Sequence, residues 1–147
     1  MTALIALLLA VFGAEPRVTG ISVTPVADRT EVVILVDGTI TSKHMMFDDG
    51  RLVVDLTGVP QAPRMDFRDI NRGGVRELRV AQFQPNVARI VIGLAGRVDY
   101  NVGRDGDRIR ISFPNRAGTF EPWSQSVGGA PAAGAAAKTA APTVSTP

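Results

Sequence analysis

Apolar and polar residues alternate with a period of two through the middle of the chain. Successive side chains of a β-strand point to opposite faces, so this alternation predicts strands with one buried face. Apart from a single turn at Asp66–Asn71, no segment has helical periodicity. The pattern predicts eight strands, at Val18–Val23, Glu31–Val36, Thr39–Phe47, Arg51–Leu56, Val75–Phe83, Val87–Leu94, Val98–Val102 and Arg108–Phe113. The chain is therefore predicted to be all-β.

Three Asp-Gly pairs separate some of these strands, at residues 37–38, 49–50 and 105–106. Tight hairpin turns need backbone conformations with positive φ, which glycine and aspartate tolerate well. Each pair is therefore predicted to be a hairpin turn. Residues 58–74 contain two prolines and a Gly-Gly pair, and they are predicted to form a long loop.

The second half of the strand region repeats the first. Residues 18–23 recur at 75–80 with an offset of 57, and residues 33–38 recur at 91–96 with an offset of 58. Chance similarity between alternating strands is the alternative explanation. A single sheet with one apolar face is not stable alone in water, so two copies would bury these faces together. The prediction is a sandwich of two similar four-stranded antiparallel sheets from an internal duplication.

The two ends of the chain differ from the middle. Residues 1–14 are almost wholly apolar, which is typical of a signal peptide or a membrane anchor, with a buried core helix as the alternative. We therefore predict a folded domain at 17–117 and a low-complexity linker or docking tail at 118–147, rich in Ala and Pro. Phe120 and Trp123 are expected either to pack back on the domain or to dock on a partner.

The residues needed for catalysis are scarce. The chain has no cysteine, and its single histidine, His44, cannot form a histidine-based metal cluster. No nucleophile elbow or phosphate-binding loop is present, and the acidic pairs fall in turns and loops. A calcium site at Asp105 and Asp107 is a minor alternative. The sequence therefore predicts a protein without catalytic activity, cofactor or bound metal.

Charge gives a further indication about partners. The formal net charge is only +2, which does not indicate a nucleic-acid-binding protein. Arginine supplies nearly all of the positive charge, and Arg51, Arg79 and Arg89 fall at outward positions of predicted strands. One interpretation is a solvated face with cross-strand ion pairs. The other is a shallow polar surface for an anionic or sugar-rich polymer, since guanidinium groups bind such groups well.

Three segments together resemble the AMIN domain family: Arg51–Leu56 (RLVVDL), Val75–Pro85 (VRELRVAQFQP) and Arg89–Leu94 (RIVIGL). That family supplies the targeting modules of periplasmic N-acetylmuramoyl-L-alanine amidases and of type IV pilus secretins. The similarity covers about residues 17–114. It implies a sandwich of two similar four-stranded sheets that binds peptidoglycan and localises its host protein in the cell envelope.

The resemblance also implies a set of ligand-binding residues on the outer strand faces. The first segment carries two of them, and the second and third segments together carry four: Arg51 and Asp55, then Arg79, Gln82, Phe83 and Arg89. Two positions depart from the family pattern, because Ala81 replaces a common glycine and Gly93 replaces a common aspartate.

Two functions are carried forward from this resemblance. The first is a non-catalytic, periplasmic targeting module that binds peptidoglycan. No amidase or secretin region follows residue 114 in this sequence, so the chain is expected to be either a fragment of a longer protein or a stand-alone module. The second function applies to a stand-alone module, which would be an extrinsic periplasmic subunit that scaffolds a larger membrane protein complex. Residues 1–14 would then contact the membrane and tether the protein to the inner membrane, and Phe120 and Trp123 would dock on the partner.

Overall fold

The computed structural model describes residues 13–127, which form ten β-strands and no helix. No helix in this described part is long or apolar enough to cross a membrane. The predicted signal peptide or anchor at 1–14 lies almost wholly outside the described residues, as does the tail beyond residue 127. The strands are β1 (Arg17–Val26), β2 (Arg29–Asp37), β3 (Thr41–Met46), β4 (Arg51–Thr57), β5 (Met65–Phe67), β6 (Val75–Gln84), β7 (Val87–Leu94), β8 (Asn101–Asp105), β9 (Arg108–Pro114) and β10 (Trp123–Ser126).

The strands form two five-stranded antiparallel sheets that pack face to face. Sheet I has the order β10-β1-β2-β9-β8, and sheet II has the order β3-β4-β7-β6-β5. The prediction of an all-β sandwich with two similar sheets is confirmed. Each sheet has five strands rather than four, because the short strands β5 and β10 add one edge strand each. The single helical turn predicted at Asp66–Asn71 is not observed, because its first two residues belong to the strand β5.

The internal duplication is visible in the strand pairing. In sheet II Leu52 lies opposite Ile92, and in sheet I the equivalent residues Ile109 and Ile34 lie opposite each other. Each half of the chain contributes two strands to each sheet, so neither half forms a sheet by itself. The central strands β2 and β7 are apolar along most of their length and need a neighbour on both sides. The second neighbour comes from the other half of the chain in both cases.

The turn at Asp37-Gly38 does not have the predicted role. Gly38 adopts a positive φ of 93°, but the chain there leaves β2 in sheet I and continues to β3 in sheet II. A Cβ atom on this residue would lie 2.9 Å from Cα of Pro16, so glycine also allows a close backbone approach. The other two Asp-Gly pairs do close the predicted hairpins, between β3 and β4 and between β8 and β9.

The core lies between the two sheets and consists of the inward-facing side chains. The alternation predicted from the sequence is observed in β4, where Leu52, Val54 and Leu56 are fully buried. The buried hydroxyl of Thr30 donates a hydrogen bond to the carbonyl of Gly73 at 2.6 Å. No buried side-chain nitrogen or oxygen of the described residues lacks a hydrogen-bond partner. Burial of the apolar faces therefore leaves no unsatisfied polar side chain within the sandwich.

Aromatic contacts join the two sheets at their edges. Trp123 of β10 packs edge-on against Phe67 of β5, with ring centroids 5.1 Å apart. At the opposite edge His44 of β3 packs against Tyr100, and its ring nitrogen lies 3.0 Å from the tyrosine hydroxyl. Phe120 also packs on the core. Phe120 and Trp123 therefore pack back on the domain, and the fold extends past residue 117, where the sequence predicted its end.

We expect the Trp123→Ala substitution to lower the free energy of unfolding by about 2 kcal/mol, because it removes the Phe67 contact and part of the buried area. Urea denaturation followed by circular dichroism measures this change. The control is Gln125→Ala on the same strand, which is exposed and should change the stability by less than about 0.5 kcal/mol. Equal urea midpoints for Trp123→Ala and Gln125→Ala would show that β10 does not stabilise the sandwich.

Candidate functional site

The outer face of sheet II carries five of the six ligand-binding residues implied by the family resemblance. The sixth, Gln82, lies opposite the buried residue Ala88 of β7 and therefore not on the outer face. Three adjacent strands, β4, β7 and β6, contain all six. Asp55 of β4 lies directly opposite Arg89 of β7, which in turn lies opposite Ala81 of β6. The register therefore brings together motifs that are separated by up to about forty positions in the sequence. We call the surface formed by the outward side chains of β3, β4, β7 and β6 the outer face of sheet II.

Arg89 is held between a carboxylate and an aromatic ring. Its Nε and Nη2 donate hydrogen bonds to the two carboxylate oxygens of Asp55, at 2.7 and 2.8 Å. Its guanidinium carbon lies 3.3 Å from the centre of the Phe83 ring. Hydrogen bonding to Asp55 raises the pKa of Arg89 above its usual value, and this outweighs the opposite effect of burial. The three side chains form a fixed, charge-compensated unit, which we call the Arg89 unit.

Arg79 also has carboxylate neighbours, but it is more exposed. Its Nε lies 3.3 Å from Asp66 and its Nη2 lies 3.9 Å from Glu77, while 46% of its side-chain surface remains exposed. A hydrogen bond from Arg68, together with the charges of Arg68, Arg79 and Arg64, holds the pKa of Asp66 below its usual range. The cross-strand ion pairs considered in the sequence analysis are therefore present at both Arg79 and Arg89. Neither guanidinium is an isolated positive charge.

Arg51 is the first residue of β4 and lies beside the β3–β4 turn. Its Nε donates to the carboxylate of Asp49 at 2.6 Å, and its guanidinium lies 5.3 Å from the centre of the Phe47 ring. The hydrogen bond from Arg51 lowers the pKa of Asp49. Arg51 and Phe47 thus repeat, at the rim of the face, the pairing of arginine with an aromatic ring that Arg89 makes with Phe83.

Gln82 has a structural role in the loop that precedes β5. Its side-chain nitrogen donates to the backbone carbonyls of Val59, Gln84 and Val87, at 3.2, 2.8 and 3.2 Å. Its side-chain oxygen accepts a hydrogen bond from the backbone of Ala62 at 2.6 Å. These bonds fix the loop and the irregular end of β6. The amide group of Gln82 is thus occupied within the protein, although the family motif groups it with the other site residues.

Side-chain packing explains why glycine occupies position 93, where the family commonly has aspartate. Gly93 of β7 lies on the outer face opposite Glu77, beside an irregularity in the pairing of β6 with β7. A Cβ atom on this glycine would collide with the side chain of Glu77. The side chain of Glu77 therefore covers the position that an aspartate commonly occupies in the family.

An apolar part of this face was not predicted from the sequence. Of the four most exposed large apolar side chains in residues 13–127, three lie on it: Met45 with 58%, Phe47 with 40% and Phe83 with 45% of their surface exposed. A shallow groove of about 160 Å³ runs over Val53 between β3 and the Arg89 unit. We call it the β3–β4 groove, and it is lined by Lys43, His44, Met45, Phe47, Val53, Asp55 and Arg89.

The signal for this groove in the sequence is weak. Met45 and Phe47 lie in a segment where apolar and polar residues do not alternate regularly, so the sequence does not indicate which of them point outward. Only the pairing with β4 assigns them to the outer face: Met45 lies opposite Val53, and the backbone N–H of Phe47 donates to the carbonyl of Arg51 at 2.8 Å.

The outer face of sheet I has a different character. The positions equivalent to Asp55 and Arg89 are Ser112 and Glu31, which lie opposite each other in the same register. The neighbouring outward residues Ser22 and Thr24 of β1 are hydroxyl-bearing. The duplicated halves have therefore kept their pairing but not their surface chemistry. Of the two outer faces formed by residues 13–127, the one on sheet II alone combines arginine, carboxylate and aromatic side chains in this way.

The arrangement on sheet II offers hydrogen-bond donors, acceptors and apolar contacts at fixed positions. Among the described residues, no three His, Cys, Asp or Glu side chains lie close enough to hold a metal ion.

The AMIN domain family matches residues 20–113, which is more than half of the chain. The chain belongs to the AMIN domain family. A search of curated proteins found no match.

AMIN domains are non-catalytic targeting modules that bind peptidoglycan, typically in periplasmic proteins. The family resemblance predicted from the three motifs is confirmed. In this AMIN domain five of the six implied site residues lie on the outer surface of three neighbouring strands, with Asp55 and Arg89 at its centre.

We expect Asp55→Asn to lower the free energy of unfolding by about 1 kcal/mol, because Arg89 would keep a half-buried charge with only a neutral acceptor. Urea denaturation measures the loss. Asp49→Asn is the matched control, since the pair of Asp49 with Arg51 is exposed to solvent and should contribute little measurable stability. Equal unfolding midpoints for the two variants would contradict a stabilising role of the Arg89 unit.

Proposed function

We propose that this AMIN domain binds peptidoglycan through the outer face of sheet II and thereby localises the protein in the periplasm. The observation that carries the proposal is the convergence of the family motifs on three adjacent strands. Asp55, Arg79, Phe83 and Arg89 come from separate segments of the sequence and lie on one side of the sheet.

The composition of the face suits a polymer with mixed chemistry. Peptidoglycan carries hydroxyl and acetamido groups on its sugars and carboxylates and methyl groups on its peptides. Arg79 offers a half-exposed guanidinium, while Phe83 and Met45 offer apolar surface. A shallow, extended surface of this kind contacts a polymer along its length, whereas a deep pocket would enclose a small molecule.

The rigidity of the Arg89 unit supports a binding role. Its bidentate hydrogen bonds and its contact with Phe83 fix three side chains before any ligand arrives. Immobilising flexible side chains on binding costs free energy, so a preorganised surface loses less of its interaction energy. The paired charges also mean that the face does not attract anions by net charge alone.

A second candidate function is that of an extrinsic periplasmic subunit that scaffolds a membrane protein complex. The exposed apolar side chains Met45, Phe47 and Phe83 favour it, because clusters of this kind also form protein interfaces. Purification from detergent-solubilised membranes tests this function. Stoichiometric recovery of a membrane protein that is lost in a Met45→Ser variant would support it, and recovery of the chain alone would contradict it.

We expect the double variant Arg79→Gln and Phe83→Ala to bind isolated sacculi at least about tenfold more weakly than the unsubstituted chain, since arginine and aromatic side chains dominate binding surfaces. Co-sedimentation with sacculi measures the affinity. Arg110→Gln is the matched control, because Arg110 is a similarly exposed arginine on β9 of sheet I.

Three outcomes can be distinguished. Loss of binding in the double variant with full binding in Arg110→Gln supports the outer face of sheet II as the binding surface. Equal loss in both variants would mean that binding is a general effect of positive charge. Absence of co-sedimentation by the unsubstituted chain would contradict the proposed function itself.

A further inference from the structure

The β3–β4 groove has two chemically different ends. At one end Met45, Phe47 and Val53 form an apolar floor and wall. At the other end Lys43 lies opposite Asp55 in the strand register, next to Arg89. A ligand that fills the groove must therefore combine an aliphatic part with a charged or strongly polar part.

The charged end has a net positive charge. Asp55 uses both carboxylate oxygens for Arg89, so these two charges compensate each other. Lys43 is exposed and takes part in no ion pair among those formed within residues 13–127. One ammonium group is therefore left to bind an anion. A carboxylate is one complementary group that a ligand can offer it.

The aromatic rings near the groove are poorly placed for stacking on sugars. The guanidinium of Arg89 lies 3.3 Å from the centre of the Phe83 ring and covers one face of it. The guanidinium of Arg51 lies 5.3 Å from the Phe47 ring. Arginine already uses a face of each phenyl ring, and the His44 ring packs edge-on against Tyr100. The remaining apolar lining, Met45 and Val53, is aliphatic. Such a lining fits methyl and methylene groups.

The volume of the groove also favours amino-acid side chains over sugar rings as its ligand. Pockets that hold whole small molecules measure roughly 300–1,000 Å³, whereas the groove measures about 160 Å³. It accommodates one or two amino-acid side chains but not a disaccharide unit. In peptidoglycan, the glycan strand is neutral where peptides are attached, because the lactyl carboxyl group forms the amide bond. The free carboxylates belong to the stem peptides, next to alanine methyl groups.

We propose that the β3–β4 groove recognises the stem peptide of peptidoglycan, with Lys43 binding a stem carboxylate while Met45 and Val53 contact an alanine methyl or a methylene chain. This inference rests on the proposed function and specifies which part of the polymer is bound. The glycan strand would contribute contacts only outside the groove, along the rest of the outer face of sheet II.

The test uses competition for the full 147-residue chain bound to intact sacculi. The competitors are the soluble tripeptide L-alanyl-γ-D-glutamyl-meso-diaminopimelate and, separately, the neutral sugar tetramer of N-acetylglucosamine. We expect the tripeptide to displace the chain and the sugar tetramer to leave it bound. Lys43→Gln should weaken displacement by the tripeptide about tenfold, since a hydrogen bond to a charged group is lost. Arg110→Gln should not change it.

The possible results separate the two proposals. If the chain binds sacculi but only the sugar tetramer competes, the stem-peptide inference is overturned and the peptidoglycan-binding function stands. The inference is also overturned if the tripeptide fails to compete, or if it competes equally well against Lys43→Gln. If the unsubstituted chain does not bind sacculi at all, both proposals fail together.

Discussion

The antiparallel pairing of β4 with β7 is the constraint on which the rest of the structure depends. It sets Leu52 opposite Ile92 on the inner side and Asp55 opposite Arg89 on the outer side. The same register therefore fills the core and assembles the Arg89 unit. Because side chains alternate across a strand, a slip by one residue would exchange these two sets and expose the apolar one. The strand register that core packing selects thus also fixes the geometry of the binding surface.

Duplication explains how one domain has two outer faces with different chemistry. The pairing of β2 with β9 repeats that of β4 with β7, so both sheets share the same framework. The inner residues are apolar in both copies, whereas Glu31 and Ser112 occupy the places of Arg89 and Asp55. Burial constrains the inner positions alone, and the outer positions are free to differ. On sheet II the outward residues Arg51, Arg79 and Arg89 all form ion pairs.

The fold class was predictable because it depends on alternation, which the sequence displays directly. The all-β sandwich, the burial of Leu52, Val54 and Leu56 and the outward position of Arg89 all follow from it. The distribution of each half over both sheets was not predictable, because alternation does not indicate which strand lies beside which. The strand β10 was missed, since its short sequence Trp123–Ser126 forms a strand only by pairing with β1.

The central claim is that the outer face of sheet II contacts peptidoglycan while sheet I does not. Backbone amide chemical shifts of the isotopically labelled chain, recorded during titration with soluble peptidoglycan fragments, test it residue by residue. The account predicts the largest shift changes at Val53, Asp55 and Arg89, with Ser22 and Ser112 on sheet I unchanged. Changes concentrated on sheet I, or spread evenly over both sheets, would contradict it.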